Sequence, residues 1–174
     1  MRLLKKGLPS VPGNETEIEF ERLIGEHRLL IHKVCRIYAY TDADRQDLFQ
    51  EIVIHLWKSF SKFEGRSRFS TWLYRVAINT TITGLRKQKA FITSYDPDAL
   101  PLQHADESGR EEEQWQQLMA AVEKLNEIEK AMVMLYLEER SYEEMEEILG
   151  ISQGALRVKM SRIKEKLRRL TKNV

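Results

Sequence analysis

Residues 141–174 constrain the fold most, because they hold two helical patterns joined by a glycine. Ser141 and Glu144 have the spacing of a capping box, and Gly150 stands where the helix they begin should end. Ser152 follows at once as the candidate N-cap of a longer amphipathic helix. A short helix, a glycine-containing turn and a second helix make a helix-turn-helix, whose second helix enters the major groove of DNA.

This final helix has an apolar side and a basic side. Apolar residues recur at spacings of four, three and four at Leu156, Met160, Ile163 and Leu167, so these side chains should pack inward. Residues 157–172 hold eight basic residues and one acidic residue, a net charge of +7 that falls on the exposed side. DNA binding needs this arrangement, although a bundle helix with a basic solvent face would share it. The residues placed to reach base edges are Gln153, Ala155, Arg157 and Lys159.

A second basic segment spans residues 58–89. It contains eight Lys or Arg residues against one acid, Glu64, and five aromatic residues between Phe60 and Tyr74. Basic side chains neutralise phosphates, and flat aromatic rings stack on unpaired bases. The mixture therefore predicts a site for single-stranded DNA.

A turn and a helix divide this basic segment. Gly65 permits the turn, and Ser70 is the candidate N-cap of a helix from about Thr71 to Lys87. The expected core residues of that helix are Leu73, Ala77 and Leu85. The opposite side is too polar for a core stripe and is expected to be an exposed, working face: Trp72, Val76, Asn79, Thr80 and Thr83.

Two amphipathic helices are predicted upstream. The first begins near Glu15 and has an apolar stripe of Phe20, Ile24, His27, Ile31, Val34 and Tyr38, beside which Cys35 is expected as a buried core residue. The second covers residues 42–60 after a cap at Thr41 or Asp42, with Leu48, Ile52, Val53, Leu56 and Phe60 facing inward. Its outward face carries Asp47, Gln50, Glu51 and His55, for which a solvated surface is the default explanation.

The helical pattern fails between Ala90 and Glu113, an acidic and polar segment in which Pro97 and Pro101 exclude a continuous helix. An interruption of this length is unusual inside one compact domain, which favours two domains. We therefore predict an all-α chain of two small helical domains joined by a flexible linker. Its parts are a mobile tail at residues 1–14, a first domain at 15–90, a linker at 91–113 and a second domain at 114–174.

Charge is distributed unevenly along the chain. Residues 106–147 hold fourteen acids and four bases, a net charge of −10, although the whole chain carries only +1. Two basic blocks separated by an acidic one suggest two contacts with a polyanion, and the acidic block can fold back on the basic ones in the free protein.

Several functional classes lack support. No run of eighteen apolar residues exists, so no membrane insertion is expected, and the start lacks a signal-peptide core. With a single cysteine, this indicates a cytoplasmic location. The four histidines are scattered, and no phosphate-binding loop, dinucleotide fingerprint or metal-ligand cluster is present. We expect no enzymatic activity, no catalytic residues, no cofactor and no metal.

Three stretches together resemble a bacterial RNA polymerase sigma factor of the extracytoplasmic-function (ECF) group. They are DLFQEIVIHLW at Asp47–Trp57, FSTWLYRVAINT at Phe69–Thr80 and the ending YEEMEEILGISQGALRVKMSRIKEKLRRL. They occur in the family's order, and the resemblance covers residues from about 17 to 170. It implies that the first domain is sigma region 2, which binds the polymerase clamp and melts the minus-ten element. The second would be sigma region 4, which reads the minus-thirty-five element.

The resemblance also assigns residues. Asp47, Gln50 and Glu51 match clamp-contacting positions, and Asn79 matches an asparagine near which a minus-ten base is flipped, beside the loop at Lys62–Ser67. The implied minus-ten and melting set is Lys62, Phe63, Arg66, Arg68, Phe69, Trp72, Tyr74, Arg75, Asn79, Thr80 and Arg86. The implied minus-thirty-five set is Ser152, Gln153, Ala155, Arg157, Lys159 and Arg162.

The partners implied by the resemblance are RNA polymerase core, through its beta-prime clamp and beta flap, promoter DNA in duplex and single-stranded form, and an anti-sigma factor. Such a protein directs polymerase to promoters. The alternative is a stand-alone helix-turn-helix regulator, whose first domain senses or dimerises and which binds an operator without polymerase.

Overall fold

The computed structural model of the chain describes residues 14–92 and 110–172, and all regular structure within these ranges is α-helical. The seven helices of these ranges are α1 (Asn14–Tyr38), α2 (Asp42–Phe60), α3 (Phe69–Ile92), α4 (Arg110–Glu123), α5 (Glu127–Leu137), α6 (Tyr142–Leu149) and α7 (Gln153–Lys172). The all-α prediction is confirmed. The predicted tail, except Asn14, and residues 93–109 of the predicted linker lie outside the described residues.

Helices α1, α2 and α3 pack around one side of the core. Their fully buried apolar side chains are Ile31, Val34, Ile52, Leu56, Leu73, Tyr74 and Ala77. Cys35 is buried among them, and burial raises the pKa of its thiol to about 11, as expected for a core residue. Thr41 caps α2 as predicted, because its side-chain oxygen accepts from the Asp44 backbone N–H at 3.1 Å.

The predicted boundaries of α3 were wrong at both ends. The helix runs from Phe69 to Ile92, and the Trp72 backbone N–H donates to the Arg68 carbonyl at 3.1 Å, so Ser70 lies inside the first turn. The Phe69 ring packs 5.5 Å from the Phe63 ring and 5.4 Å from the Trp72 ring. These contacts hold the first turn in place, where a side-chain cap had been expected.

Helices α4 to α7 form the second group, with α6 and α7 as the predicted helix-turn-helix. The capping box is confirmed: the Glu144 N–H donates to Ser141 Oγ, and the Ser141 N–H donates to the Glu144 carboxylate, both at 3.1 Å. Gly150 ends α6 with a φ of 67°, in the left-handed region that favours glycine. A further capping box, Asn126 with Glu129, begins α5 and was not predicted.

The two groups abut, because α3 contacts both α5 and α6 and α1 contacts α5. The Tyr38 hydroxyl donates to the Glu127 carbonyl at 2.6 Å, and the Lys33 ammonium lies 2.5 Å from the Glu138 carboxylate. Together they fix how the second group sits against the first. Among the described residues, none of the helices combines the length and apolar character needed to cross a bilayer.

Candidate nucleic-acid interface

A groove with a volume of about 650 Å³ runs between α2 and α3. Its walls are Glu51, His55, Lys58, Ser59 and Lys62 on one side and Trp72, Arg75, Val76, Asn79, Thr80, Thr83, Gly84 and Lys87 on the other. Basic residues stand on both walls, so the groove suits the phosphate backbone of a nucleic-acid strand. His55, Lys58 and Lys87 were not assigned by the resemblance, although Lys58 and Lys87 belong to the basic segment.

An aromatic cluster of Phe60, Phe63, Phe69 and Trp72 adjoins the groove at Trp72. The Phe63 and Trp72 ring centroids are 5.1 Å apart, and those of Phe60 and Trp72 are 6.3 Å apart. All four side chains are half-buried, so the rings support one another and leave part of their surface uncovered. Trp72 alone belongs both to the cluster and to the groove lining.

The loop between α2 and α3 presents further basic side chains. Gly65 has a φ of 68°, which permits the turn, and Arg66 is exposed in an ion pair with Glu64 at 2.5 Å. Arg68 is also exposed, 3.9 Å from the Glu144 carboxylate of α6. Arg86, farther along α3, is exposed as well. These side chains are accessible to a polyanion.

Two of the predicted DNA contacts are largely covered in this conformation: Tyr74 is inaccessible, and Thr80 reaches the groove with only a small part of its surface. Tyr74 is fully buried, and burial raises the pKa of its hydroxyl to about 12. It shares the buried side of α3 with Ala77 and Ile78, three and four residues farther on, while Thr80 is 9% exposed. The Arg140 guanidinium carbon lies 5.3 Å from the Tyr74 ring centroid, so the second helical group covers this tyrosine.

The predicted polymerase-contacting residues form an exposed strip on α2. Asp47, Gln50 and Glu51 are all exposed, and Glu51 also faces the groove. Ile54 continues the strip four residues after Gln50 and is 50% exposed, unusually high for an isoleucine. Ile54 was missed because the inward set of α2 leaves it out and the outward face was described by its polar residues alone.

The predicted base-reading residues of α7 lie on its accessible side. Arg157, Lys159, Arg162 and Ser152 are exposed, and Gln153 and Ala155 are half-buried. Leu156, Met160 and Ile163 are buried, as predicted. Two α6 residues that were not predicted touch this set: Glu146 accepts a hydrogen bond from the Gln153 amide nitrogen, and the Tyr142 ring lies beneath the Arg157 guanidinium.

A second crevice, of about 360 Å³, separates α3 from the end of α6. Arg75 and Asn79 line it from α3, and Glu146, Glu147 and Gly150 line it from α6 and its C-cap. Acidic side chains of α6 therefore stand opposite Arg75 and Asn79 of α3. Elsewhere in the described ranges, no group of three or more His, Cys, Asp or Glu residues is arranged to hold a metal ion.

Comparisons with known proteins match both helical groups. The Sigma-70 region 2 family matches residues 23–91, and the Sigma-70 region 4 family matches residues 115–167. The chain is 24% identical over 151 residues to the ECF sigma factor SigM of Mycobacterium tuberculosis, covering 87% of this chain and 76% of SigM. It is 30% identical over 149 residues to the ECF sigma-E factor of Escherichia coli K12, covering 77% of this chain and 78% of sigma-E.

Solved structures agree in fold. The sigma factor RpoE of Bartonella quintana, in complex with the anti-sigma factor NepR, superposes with a TM-score of 0.72 at 18% identity, covering 88% of this chain and 97% of RpoE. CnrH, in complex with the cytosolic domain of CnrY, gives a TM-score of 0.62 at 19% identity, covering 92% and 91%.

These matches do not favour the stand-alone regulator. Both sigma-70 regions are present in order, and each coincides with one of the two helical groups. The chain therefore belongs to the ECF sigma factors, which bind RNA polymerase and direct it to specific promoters.

Proposed function

We propose that the groove between α2 and α3 captures and melts the minus-ten element, while the exposed side of α7 reads the minus-thirty-five element. The strip Asp47, Gln50 and Glu51, extended by Ile54, binds the polymerase clamp. Residues 14–92 then act as region 2 and residues 110–172 as region 4. The observation that carries the minus-ten assignment is the position of Trp72, which joins the aromatic cluster to the basic groove.

Melting in this groove is driven by binding. Unstacking a base costs a few kcal/mol, and stacking it on an aromatic ring returns roughly 1–3 kcal/mol. Trp72 offers the stacking surface, and Asn79, exposed in the groove, offers a polar side chain that can donate to and accept from a base edge. Lys58, Lys62 and Arg75 neutralise phosphates without regard to sequence.

Duplex engagement at Arg75 and Asn79 also requires α6 to move away from α3. Glu146 and Glu147 share a crevice with these two residues, and a carboxylate so placed repels phosphates. Binding to polymerase, which holds the two sigma regions at separate promoter elements, supplies this separation.

The decisive test is Trp72→Ala in holoenzyme assembled from the full chain. We expect open-complex formation, measured by permanganate reactivity of unpaired thymines, to fall at least tenfold, because about 1.4 kcal/mol of stacking per base is a factor of ten. Closed-complex binding to duplex promoter should change less than twofold. Trp72→Phe retains a ring and should recover most of the opening.

A premelted promoter bubble provides the control. If Trp72 acts in melting, Trp72→Ala holoenzyme should initiate nearly normally on a template whose minus-ten region is already unpaired. An equal loss on duplex and bubble templates would contradict a melting role. Thermal unfolding of each variant separates this result from destabilisation of the aromatic cluster.

Further partners and the setting follow from the same assignment. Two sigma factors of similar fold, RpoE and CnrH, were solved with the anti-sigma factor NepR and with the cytosolic domain of CnrY. We infer that an anti-sigma factor also binds this chain, that the beta flap of polymerase contacts region 4, and that the chain works in the cytoplasm without catalysing a reaction itself. Co-purification with core polymerase and with membrane fractions tests these assignments.

A further inference from the structure

Two contacts join α6 to the beginning of α7, across the turn of the helix-turn-helix. Gln153 Nε2 lies 3.1 Å from Glu146 Oε2, and the Arg157 guanidinium carbon lies 4.7 Å from the Tyr142 ring centroid. All four residues belong to one helix-turn-helix, so these contacts persist whether or not the second helical group leaves α3. The function proposed above gives Tyr142 no role, and it gives Glu146 only a repulsive charge in the crevice against α3.

The contact with Glu146 determines which way the Gln153 carboxamide faces. An ionised carboxylate only accepts hydrogen bonds, so the amide nitrogen of Gln153, not its oxygen, must face Glu146. Repulsion between the two oxygens favours donation from the N–H that points away from the carboxamide oxygen. The oxygen and the second N–H then lie together on the free edge, which is the pair that recognises adenine through N6 and N7.

The contact with Tyr142 restricts Arg157 in a comparable way. The ring occupies one side of the Arg157 guanidinium, and the N–H donors directed away from the ring stay free for a bidentate contact with guanine or phosphate. Arg157 itself is exposed, so without the ring its long side chain would sample many directions. The ring therefore limits the directions in which Arg157 can read.

We propose that Glu146 and Tyr142 are positioning residues for minus-thirty-five recognition: they orient Gln153 and Arg157 and thereby narrow the base preference, without touching DNA. This inference rests on the proposed reading of the minus-thirty-five element by α7. Glu146 also lines the crevice against Arg75 and Asn79. Its role in base preference must therefore be separated from any effect of its charge on that crevice.

Glu147 supplies the matched control. It is adjacent to Glu146 on α6, carries the same charge and lines the same crevice, and the hydrogen bond to Gln153 is made by Glu146. Glu147→Gln therefore changes the crevice charge and leaves the Gln153 contact intact. Glu146→Gln preserves side-chain size, but its amide can either donate or accept, so it permits both orientations of Gln153.

The experiment selects active promoters from a library randomised across the minus-thirty-five region, using holoenzyme with each full-length variant. We expect Gln153→Ala to erase the preference at one base pair, and Glu146→Gln to weaken the preference at that base pair about fivefold to tenfold. Glu147→Gln should leave it within twofold. Tyr142→Leu should weaken preference at the base pair that Arg157→Ala affects, and Tyr142→Phe, which keeps the ring, should not.

The outcomes distinguish the two levels of the proposal. If Gln153→Ala changes no base preference, the minus-thirty-five assignment of Gln153 fails, and the role of Glu146 fails with it. If Gln153→Ala erases a preference while Glu146→Gln changes binding by the same factor on all sequences, as a change of crevice charge alone would, the positioning role is overturned and the assignment of α7 stands. Thermal unfolding of the conservative variants Glu146→Gln and Tyr142→Phe shows whether each result comes from a folded protein.

Discussion

The two helices assigned to promoter DNA differ in what lies against them. On α3, Tyr74 is covered by Arg140, and Arg75 and Asn79 face the acidic end of α6 across a crevice of about 360 Å³. On α7, Arg157 and Lys159 are exposed to solvent. In this conformation the side of α7 proposed to read the minus-thirty-five element is exposed, and the proposed melting surface on α3 is partly covered, so we expect melting to wait until the two regions separate.

The contact that covers α3 is polar and poorly satisfied. Among the described residues, the Tyr74 hydroxyl and Arg140 Nε are buried without a well-formed hydrogen bond. A buried polar group without a partner costs about 1–3 kcal/mol, which offsets part of the stabilisation that the Arg140 guanidinium gives by lying over the Tyr74 ring. By contrast, the core beneath α7 is apolar, with Leu156 fully buried. The contact of the second helical group with α3 is therefore weak, whereas the apolar core beneath α7 holds that helix firmly.

The largest effect is expected from removing a side chain of the apolar core beneath α7. Leu156→Ala should destabilise the helix-turn-helix by about 2–5 kcal/mol, because a large buried side chain is lost and a cavity remains. Hydrogen exchange should show loss of protection in α7 and, because α6 packs on α3, partial loss around Tyr74, with α2 unchanged. Ile52→Ala, equally buried in the first group, is the reciprocal control. Equal loss in α2 and α7 would mean that the two groups are one inseparable unit.

A smaller effect is expected from removing the contact between Arg140 and Tyr74. Arg140→Ala removes the guanidinium over Tyr74 and should shift the balance between separated and associated regions by about tenfold, or 1.4 kcal/mol. Spin labels at the exposed positions Gln46 on α2 and Arg168 on α7 would report longer distances. Arg157→Ala is matched, because it also removes a guanidinium from a tyrosine ring but within one helical group. Similar distances in the wild type, Arg140→Ala and Arg157→Ala would show that Arg140 does not hold the two helical groups together.

Ion pairs between the groups should contribute less. Lys33 and Glu138 are 2.5 Å apart and partly exposed, and such pairs are worth about 0–1 kcal/mol and are screened by salt. X-ray scattering should show a larger mean separation at about 1 M salt, where the screening length is about 3 Å. Lys33→Glu should increase the mean separation of the two groups, as salt does. The double variant Lys33→Glu, Glu138→Lys should restore the wild-type separation. A separation that does not change with salt would contradict the charge-driven association that was predicted from the uneven charge distribution along the sequence.

The smallest effect is expected on the pH dependence of unfolding, through Glu144. Burial acts to raise the pKa of Glu144, but the Ser141 N–H and Arg140 outweigh it and hold this pKa below its usual value. A lowered folded pKa means that Glu144 stabilises the fold above its unfolded pKa, and that this contribution is lost as pH falls through the folded pKa. Glu144→Gln should cost under about 1 kcal/mol at pH 7 and flatten the acid dependence of unfolding. Glu143→Gln, with the same charge change, should retain the wild-type slope.

Capping residues and a terminal glycine predicted most of the helix ends at which they lie. Thr41, Ser141 with Glu144, and Gly150 act within one helical turn, so their spacing alone located the ends of α2 and α6. The Asn126–Glu129 box has the same kind of local signal and was available in the sequence, although it was overlooked. The start of α3 depends instead on rings that pack around Phe69, and such packing is not written in a cap motif.

The sequence by itself determined the helical class, the two sigma regions, the basic groove segment and the inward side of α7. The helical class, the basic segment and the inward side of α7 follow from periodicity, capping or charge within a short stretch, where neighbours in sequence are neighbours in space. The two sigma regions were indicated by the resemblance of three stretches to a known family. Only the tertiary structure decided that Tyr74 is buried beneath Arg140, that α6 faces Arg75 and Asn79, and that Ile54 is exposed. These depend on which helix faces pack together, and many pairings would satisfy the same apolar stripes.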